Sequence, residues 1–170
     1  MTARHTPLTA DIDGDFAVFL IGMRIRRWWR PDLWLPVAMA MPRMLRELHA
    51  KPELGMLGYE SWPGRTTIMV QYWRSTDHLL RYARSRDSEH LPAWREFYRR
   101  AGASDAVGIW HETYEVAAGR HESIYHNMPA FGLGKAAGVV EAQGKLRTAA
   151  GRLGRGEGRD GDDAPEREAA

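Results

Sequence analysis

The sequence predicts an α+β domain built on one antiparallel sheet. Three observations carry this prediction: the apolar segments follow one another in the order β-α-β-β-α-β, the second and third strands form a hairpin, and the first strand is apolar on both faces. This element order is the split βαβ of the ferredoxin-like plan. In such a domain the helices lie together on one face of the sheet.

The first strand covers residues 16–27, where nearly every side chain up to Ile25 is apolar and no proline interrupts the run. Such a segment is typical of a strand that is buried on both faces. Residues 28–36 contain three tryptophans and two prolines and predict a loop. The helix that follows ends near Ala50 and is expected to be regular only from Pro42, because proline suits a first turn and disrupts a helix interior.

A hairpin follows the first helix. Residues 54–62 and 65–73 predict two strands that are joined by Pro63-Gly64, a pair of residues suited to a turn. Ser75 or Thr76 is expected to cap a helix that ends near residue 86.

Three further elements are predicted after that helix. Residues 89–100 show apolar side chains at helical spacing, and residues 107–116 alternate well enough to form the fourth strand. Residues 122–126 predict a short fifth strand at a sheet edge. The apolar pattern ends soon after this strand.

The sheet is expected to be shielded by a second copy of the chain. In the first strand Val18 and Leu20 alternate with Phe19 and Ile21, so both faces are apolar. A domain of this size has too few helices to cover both faces, and large exposed apolar patches are rare on monomers. We therefore expect a homodimer in which two sheets form a dimeric α/β barrel.

Composition divides the chain into three parts. All 17 aromatic residues lie between Phe16 and Phe131, whereas 9 of the 17 glycines lie in the last 39 residues. A segment rich in glycine and without aromatics buries too little apolar area to offset the entropy of ordering it. We expect a flexible leader over 1–15, the folded domain over 16–131 and a disordered tail over 132–170.

Several classes of protein are excluded by composition. The chain has no cysteine, which excludes disulfide frameworks, thiolate catalysis and iron–sulfur clusters. The N-terminal residues lack the apolar core of a signal peptide, so we expect a cytoplasmic protein. The net charge of +2 gives no strong field for a nucleic acid or a membrane, and neither is expected as a partner. No metal-ligand spacing is recognised, so no metal site is expected.

Four segments carry a resemblance to known proteins: FLIGMRIRRWW at 19–29, GYESWPGRTTIMVQYW at 58–73, YWRSTDHLLRYARSRDSEHLPAW at 72–94, and GIWHETYEV with YHNMPAFGL at 108–116 and 125–133. The chain resembles the antibiotic-biosynthesis-type monooxygenases. Within them it is similar to a family that includes fungal enzymes from polyketide gene clusters. The resemblance covers roughly residues 16–133 and implies the dimeric α/β barrel.

Three polar residues are candidates for catalysis. His111 lies in the fourth strand, and alternation places it on the face opposite Trp110; an imidazole there could act as a general base. The alternative is a hydrogen-bonded core histidine. Gln71 is a polar residue within a hairpin strand and needs a partner if it faces inward. Asn127 could polarise a bound carbonyl, although an asparagine before a turn is ordinary turn chemistry.

Five residues are candidates for binding substrate. Trp73 and Trp110 could form aromatic walls around a flat ligand, although tryptophans are chiefly core residues. Tyr72 lies beside Trp73, and Arg24 belongs to a basic run around Trp28-Trp29 that could close over a ligand by cation–π contacts. The favoured alternative for this run is a solvated strand end with the tryptophans packed into the dimer interface. His90 lies at the start of a helical segment and could line the cavity or be a solvated residue.

Three functions are compatible with these residues. The first is a small monooxygenase that acts on a flat apolar or aromatic substrate without a nicotinamide or flavin, whose motifs the sequence lacks. The resemblance implies that such enzymes deprotonate an electron-rich substrate, whose carbanion then passes an electron to O2. The second is a haem protein with His111 or His90 as the axial ligand. The third is a non-catalytic ligand-binding dimer, since a fold does not fix a function.

Overall fold

The computed structural model describes residues 6–85, 95, 97–99 and 104–155. The chain forms two compact units, Asp15–Val116 and Met1–Gly14 together with Ala117–Ala170. In chain order the α-helices and strands whose bounds the structure describes are β1 (Leu8–Ala10), β2 (Phe16–Ile25), α1 (Pro31–Ala50), β3 (Met56–Trp62), β4 (Ile68–Trp73), α2 (Thr76–Arg84), β5 (Val107–Val116), α3 (Leu133–Ala137), β6 (Val139–Glu141) and α4 (Ala149–Arg152). Short 3-10 helices lie at Pro52–Leu54 and Gly144–Arg147.

The larger unit has the predicted ferredoxin-like sheet. Its four strands are antiparallel and lie in the order β3-β4-β2-β5, so the first and third strands of the unit are central. All ten residues of β2 pair with β5, from Phe16 opposite Val116 to Ile25 opposite Val107. The predicted bounds of β5 are confirmed, and those of the hairpin strands differ by two or three residues at their starts.

Helix α1 starts much earlier than the sequence predicts. It runs from Pro31 to Ala50 and contains Pro36 and Pro42, so the expected loop over 28–36 is confined to residues 28–30 and the expected start at Pro42 is wrong. Each interior proline removes one backbone hydrogen bond, at a cost of about 3 kcal/mol. The helix tolerates this loss because it buries a continuous apolar stripe, formed by Ala40, Met44, Leu45 and Leu48.

The N-terminus of α1 is held by side chains as well as by backbone. Trp34 donates its indole Nε1–H to the carbonyl of Trp28 at 3.0 Å. Arg30 donates two hydrogen bonds to Asp32, at 2.9 and 2.7 Å. This pairing lowers the pKa of Asp32 below its ordinary value, so the carboxylate stays ionised beside Arg30.

The core of the larger unit lies between the two helices and one face of the sheet. Helix α2 is capped as predicted: the Ser75 hydroxyl accepts a hydrogen bond from the backbone N–H of His78 at 3.3 Å. Trp73 is 1% exposed and Ala17 is fully buried. The buried residues of the core cluster are Ala17, Ala40, Met44, Leu48, Trp73, Leu79 and Tyr82.

The smaller unit contains a two-stranded sheet. Strands β1 and β6 pair antiparallel, with Thr9 opposite Val140. The predicted fifth strand over 122–126 is wrong, because that segment forms only an isolated bridge between Tyr125 and Leu8. Because the chain turns at Asn127, whose φ is 53°, the segment before it is too short to form a series of paired strand residues.

Regular structure also occurs where the sequence predicts a leader and a tail. Within the described residues 6–15 and 132–155 lie β1, α3, β6 and α4. The Tyr125 hydroxyl bonds to the backbone N–H of Gly134 at 2.8 Å, and Arg152 forms an ion pair with Glu122. The ion pair joins residues that are 30 positions apart in sequence, and local composition does not encode it.

The predicted helix over 89–100 falls mostly outside the described residues, which include only Arg95 and Phe97–Arg99 of that range. Among the described residues, no helix combines the length and the apolar character needed to cross a bilayer.

Candidate functional site

One face of the sheet in the larger unit carries both the helices and two of the candidate catalytic residues. We call it the helix face and define it by Ala17, Phe19, Gln71, Trp73 and His111, which the strand registers place on the same side. Gln71 lies directly opposite Phe19, and His111 lies opposite Ile21, two residues further along β2. The fold therefore brings Gln71, Trp73 and His111 to one surface.

Gln71 is a buried amide in apolar surroundings, with 3% of its surface exposed. Its Oε1 accepts a hydrogen bond from Trp73 Nε1 at 3.0 Å. Its Nε2 lies 3.4 Å from the Met69 sulfur and 3.7 Å from the Met41 sulfur. Thioethers are weak acceptors, so the NH2 group keeps the capacity to donate to a stronger acceptor such as a ligand oxygen.

His111 occupies the exposed part of the edge strand β5. Its ring lies 5.7 Å from the ring of Phe19, centroid to centroid, with 43° between the planes. The alternation that the sequence predicts is confirmed, since His111 and Trp110 lie on opposite faces. An imidazole at this position can take a proton from a ligand held against Phe19.

A polar and aromatic cluster supports the candidate site from behind. The rings of Trp73 and Tyr82 are 5.8 Å apart, and the Tyr82 hydroxyl donates to Glu47 Oε2 at 3.1 Å. Glu47 also pairs with Lys51 at 3.0 Å. The cluster links α1 to α2 and fixes Trp73, which in turn holds the Gln71 carbonyl. Glu47 was not predicted from the sequence because its partner Tyr82 lies 35 residues away in the chain.

Three of the candidate binding residues lie on the opposite face of the sheet. The registers place Tyr72, Trp110 and Arg24 there. Trp110 Nε1 lies 3.3 Å from the carbonyl oxygen of Thr67, and its indole passes so close to Gly22 that a Cβ at position 22 would meet it at 2.6 Å.

Arg24 donates to the Thr66 hydroxyl at 2.7 Å. Because a side chain on one face of a sheet cannot reach past its plane, Tyr72, Trp110 and Arg24 do not lie on the same surface as Gln71.

The opposite face also contains a coupled pair of polar side chains. Tyr114 donates its hydroxyl to Glu112 Oε2 at 2.6 Å. This hydrogen bond, aided by the negative charge of Glu112, raises the pKa of Tyr114 above its ordinary value. Tyr114 is therefore a hydrogen-bond donor on this face and not a base.

The two remaining candidates are Asn127 and His90. Asn127 belongs to the smaller unit, is exposed and adopts a left-handed φ of 53°, as the turn interpretation expects. His90 lies outside the described residues. Within the described part of the chain, no three acidic or histidine side chains cluster in a way that could hold a metal ion.

Solved structures that overlap with part of this chain include the following two. SnoaB, a cofactor-independent oxygenase from Streptomyces nogalater, overlaps with a TM-score of 0.42 at 12% identity, over 59% of this chain and 91% of that one. Protein SO0527 from Shewanella oneidensis overlaps with a TM-score of 0.41 at 15% identity, over 64% of this chain and 97% of that one. Neither overlap bears on function.

Sequence comparison identifies relatives more directly. Monooxygenase af470 of Aspergillus fumigatus is 29% identical over 94 residues, which make up 52% of this chain and 33% of that protein. The chain thus spans about a third of the length of this curated relative. Residues 16–133 match the family described as Monooxygenase af470-like, and the match includes all four strands of the larger sheet. The chain belongs to the monooxygenase af470-like family.

Proposed function

We propose that this chain is a small monooxygenase that uses O2 to oxidise a flat, apolar, aromatic or polyketide-like substrate without a nicotinamide or flavin. Membership in the monooxygenase af470-like family supports the reaction class. The observation that carries the proposal is the buried Gln71 amide. Among the described residues, its NH2 group has only the sulfur atoms of Met41 and Met69 within hydrogen-bond distance. A dry amide donor of this kind stabilises negative charge on a substrate oxygen.

Each residue on the helix face has a distinct role in this proposal. His111 removes a proton from an activated C–H group of the substrate. Gln71 Nε2 donates a hydrogen bond to the oxygen on which the resulting negative charge is delocalised. Phe19 provides aromatic surface for the flat ring system. Trp73 is buried in the core and holds the Gln71 carbonyl, so the predicted role of Trp73 as a wall of the ligand pocket is replaced by a positioning role. Glu47 and Tyr82 hold Trp73 in place and touch no substrate.

The proposed reaction balances without an external reductant. The substrate carbanion transfers one electron to O2, and the resulting radical pair combines to form a C–O bond. The hydroperoxide then loses water, so that a CH2 group and O2 give a C=O group and H2O. One oxygen atom enters the product and the other leaves as water, while the substrate supplies all the electrons. The protonated His111 returns its proton to the peroxide oxygen, which gives the hydroperoxide. When the O–O bond breaks, the second hydrogen of the CH2 group leaves carbon as a proton and completes the departing water.

The opposite face of the sheet supports a homodimer, which we propose as the functional form. Ile68, Trp62 and Tyr114 lie on this face with exposed fractions of 40%, 44% and 52%. Helices α1 and α2 pack on the other side of the sheet, against Ala17 and Trp73. A second sheet packed face to face would shield these side chains.

The cytoplasmic location stays a prediction from the sequence.

The proposed function is tested with the purified chain, anthrone as the probe substrate and 18O2 as the oxidant. The visible spectrum is recorded first, and the protein is then treated with a chelator. We expect no haem or flavin band in the spectrum. We also expect anthraquinone that carries one 18O atom to form faster with the protein than in buffer alone. A Soret band would favour the haem alternative. Anthrone oxidation at the rate seen in buffer would contradict the proposed oxygenation of this substrate class.

A further inference from the structure

Exposed aromatic and basic residues are concentrated where β2 leads into α1. Trp28 and Trp29 are 75% and 59% exposed, and on α1 Leu35 and Met39 are 46% and 51% exposed. We call these four apolar residues and the neighbouring arginines the tryptophan–arginine surface. Its members are Trp28, Trp29, Leu35 and Met39 with Arg26, Arg27, Arg30 and Arg46.

Helix geometry places the apolar part of this surface on one side of α1. Leu35 and Met39 are four residues apart, and Arg46 follows seven residues later, so all three lie within one stripe of the helix. Ala40, Met44 and Leu48 lie on the opposite side and are buried in the core. The exposed stripe is therefore not needed for packing α1 against the sheet.

The backbone fixes the two tryptophans beside the start of this stripe. Trp34, in the first turn of α1, donates to the Trp28 carbonyl, and the backbone N–H of Arg30 bonds to the Arg27 carbonyl at 3.1 Å. The two indole rings make an edge-on contact with centroids 6.1 Å apart. The aromatic pair is thus presented on a short, ordered turn.

The charge of the tryptophan–arginine surface indicates which kind of partner it would bind. Arg27 and Arg30 form ion pairs with Asp105 and Asp32, whereas Arg26 and Arg46 add charge that neither of these aspartates pairs with. The surface is net positive, although the whole chain carries only +2. A symmetric contact between two copies here would bring like charges together, which is unfavourable. A partner with negative charge at its surface and an apolar interior would match both the arginines and the exposed apolar side chains.

We propose that the tryptophan–arginine surface binds the anionic lipid–water interface of a membrane. Tryptophan favours this interface because its ring is apolar and its N–H is polar. Arginine side chains attract anionic headgroups while their aliphatic stems remain in apolar surroundings. The overall charge of the chain predicts no membrane partner, whereas the local arrangement of tryptophans and arginines favours one. The protein would lie on the bilayer and not cross it.

Co-sedimentation with sucrose-loaded vesicles tests the proposal. The full chain is mixed with vesicles of phosphatidylcholine alone or of phosphatidylcholine with phosphatidylglycerol. We expect binding to the anionic vesicles that is at least about tenfold tighter than binding to the neutral ones and that weakens at high salt. The variant Trp28→Ala/Trp29→Ala is expected to bind at least about tenfold more weakly.

Two further variants separate the surface from general effects on folding. Met39→Glu adds a negative charge to the exposed stripe and should also weaken binding. Leu80→Ala removes an exposed apolar side chain from α2, 39% exposed, and should leave vesicle binding unchanged. Equal binding to both kinds of vesicle, or unchanged binding by both surface variants, would overturn the proposal. So would a change from dimer to monomer in Trp28→Ala/Trp29→Ala, because the surface would then be a protein interface.

Discussion

The ring of Phe19 contacts the ring of His111, with centroids 5.7 Å apart on the helix face of the sheet. Phe19 also lies directly opposite Gln71 in the neighbouring strand. One phenyl ring therefore stands between the candidate base and the candidate oxyanion donor. A flat substrate resting on Phe19 would have an imidazole on one side and an amide on the other.

Replacing the candidate base should remove catalysis and leave the fold intact. His111→Asn is expected to lower the rate of anthrone oxidation by about 100-fold or more, the usual contribution of a general base. Because His111 is exposed on an edge strand, the melting temperature of the variant should stay near that of the wild type. Steady-state oxygen uptake and thermal unfolding measure the two effects. A wild-type rate in this variant would remove His111 from the mechanism.

Replacing the buried amide should affect activity more than stability. Gln71→Met keeps the volume but removes the donor, and we expect turnover to fall by about 100-fold. Trp73 Nε1 loses its acceptor, which should cost about 1 to 3 kcal/mol of unfolding free energy. Urea unfolding monitored by fluorescence gives the second quantity. Unchanged turnover in a folded variant would show that the amide is only a structural partner of Trp73.

Removing the Tyr82 hydroxyl tests whether the supporting cluster is purely structural. Tyr82→Phe deletes the hydrogen bond to Glu47 and should lower the free energy of unfolding by about 1 to 2 kcal/mol. Turnover per folded molecule should hardly change, because Tyr82 touches no substrate in the proposed mechanism. Urea unfolding and oxygen uptake are measured on the same preparation. A large loss of turnover would place Tyr82 in the mechanism itself.

A charge on the opposite face should separate the proposed dimer. Val70→Asp places a carboxylate on the face that we propose to be covered by the second sheet. Burying an unpaired charge is too costly for a stable interface, so sedimentation velocity should show a monomer. Leu80→Asp, on the exposed side of α2, is the matched control and should remain dimeric. If the wild-type chain already sediments as a folded monomer, the shared barrel is excluded.

Local patterns predicted the larger sheet well because its strands are encoded by nearby residues. The run from Phe16 to Ile25, the Pro63-Gly64 turn and the alternation around His111 each specify structure without distant contacts. The start of α1 was missed because proline statistics describe an isolated helix, whereas packing of Met44 and Leu48 on the sheet decides the outcome. Tertiary packing overrides local propensity in such cases.

The candidate site was only partly predictable for a related reason. Strand alternation separates His111 from Trp110, but it does not say which of them faces the helices or that Gln71 shares that face. The contact between Glu47 and Tyr82 and the pairing of β1 with β6 join residues that are far apart in the chain. One sequence carries no local signal for such contacts.

The most direct test of the helix-face site is the rate of oxygen uptake with anthrone in two matched pairs of variants. Gln71→Met and His111→Asn alter the helix face, whereas Tyr72→Phe and Glu112→Gln alter the next residue on the same strands, which faces the other way. We predict a fall of about 100-fold or more in the first pair and a rate close to the wild type in the second. Loss of oxygen uptake only in the second pair would contradict the account, because the chemistry would then lie on the opposite face.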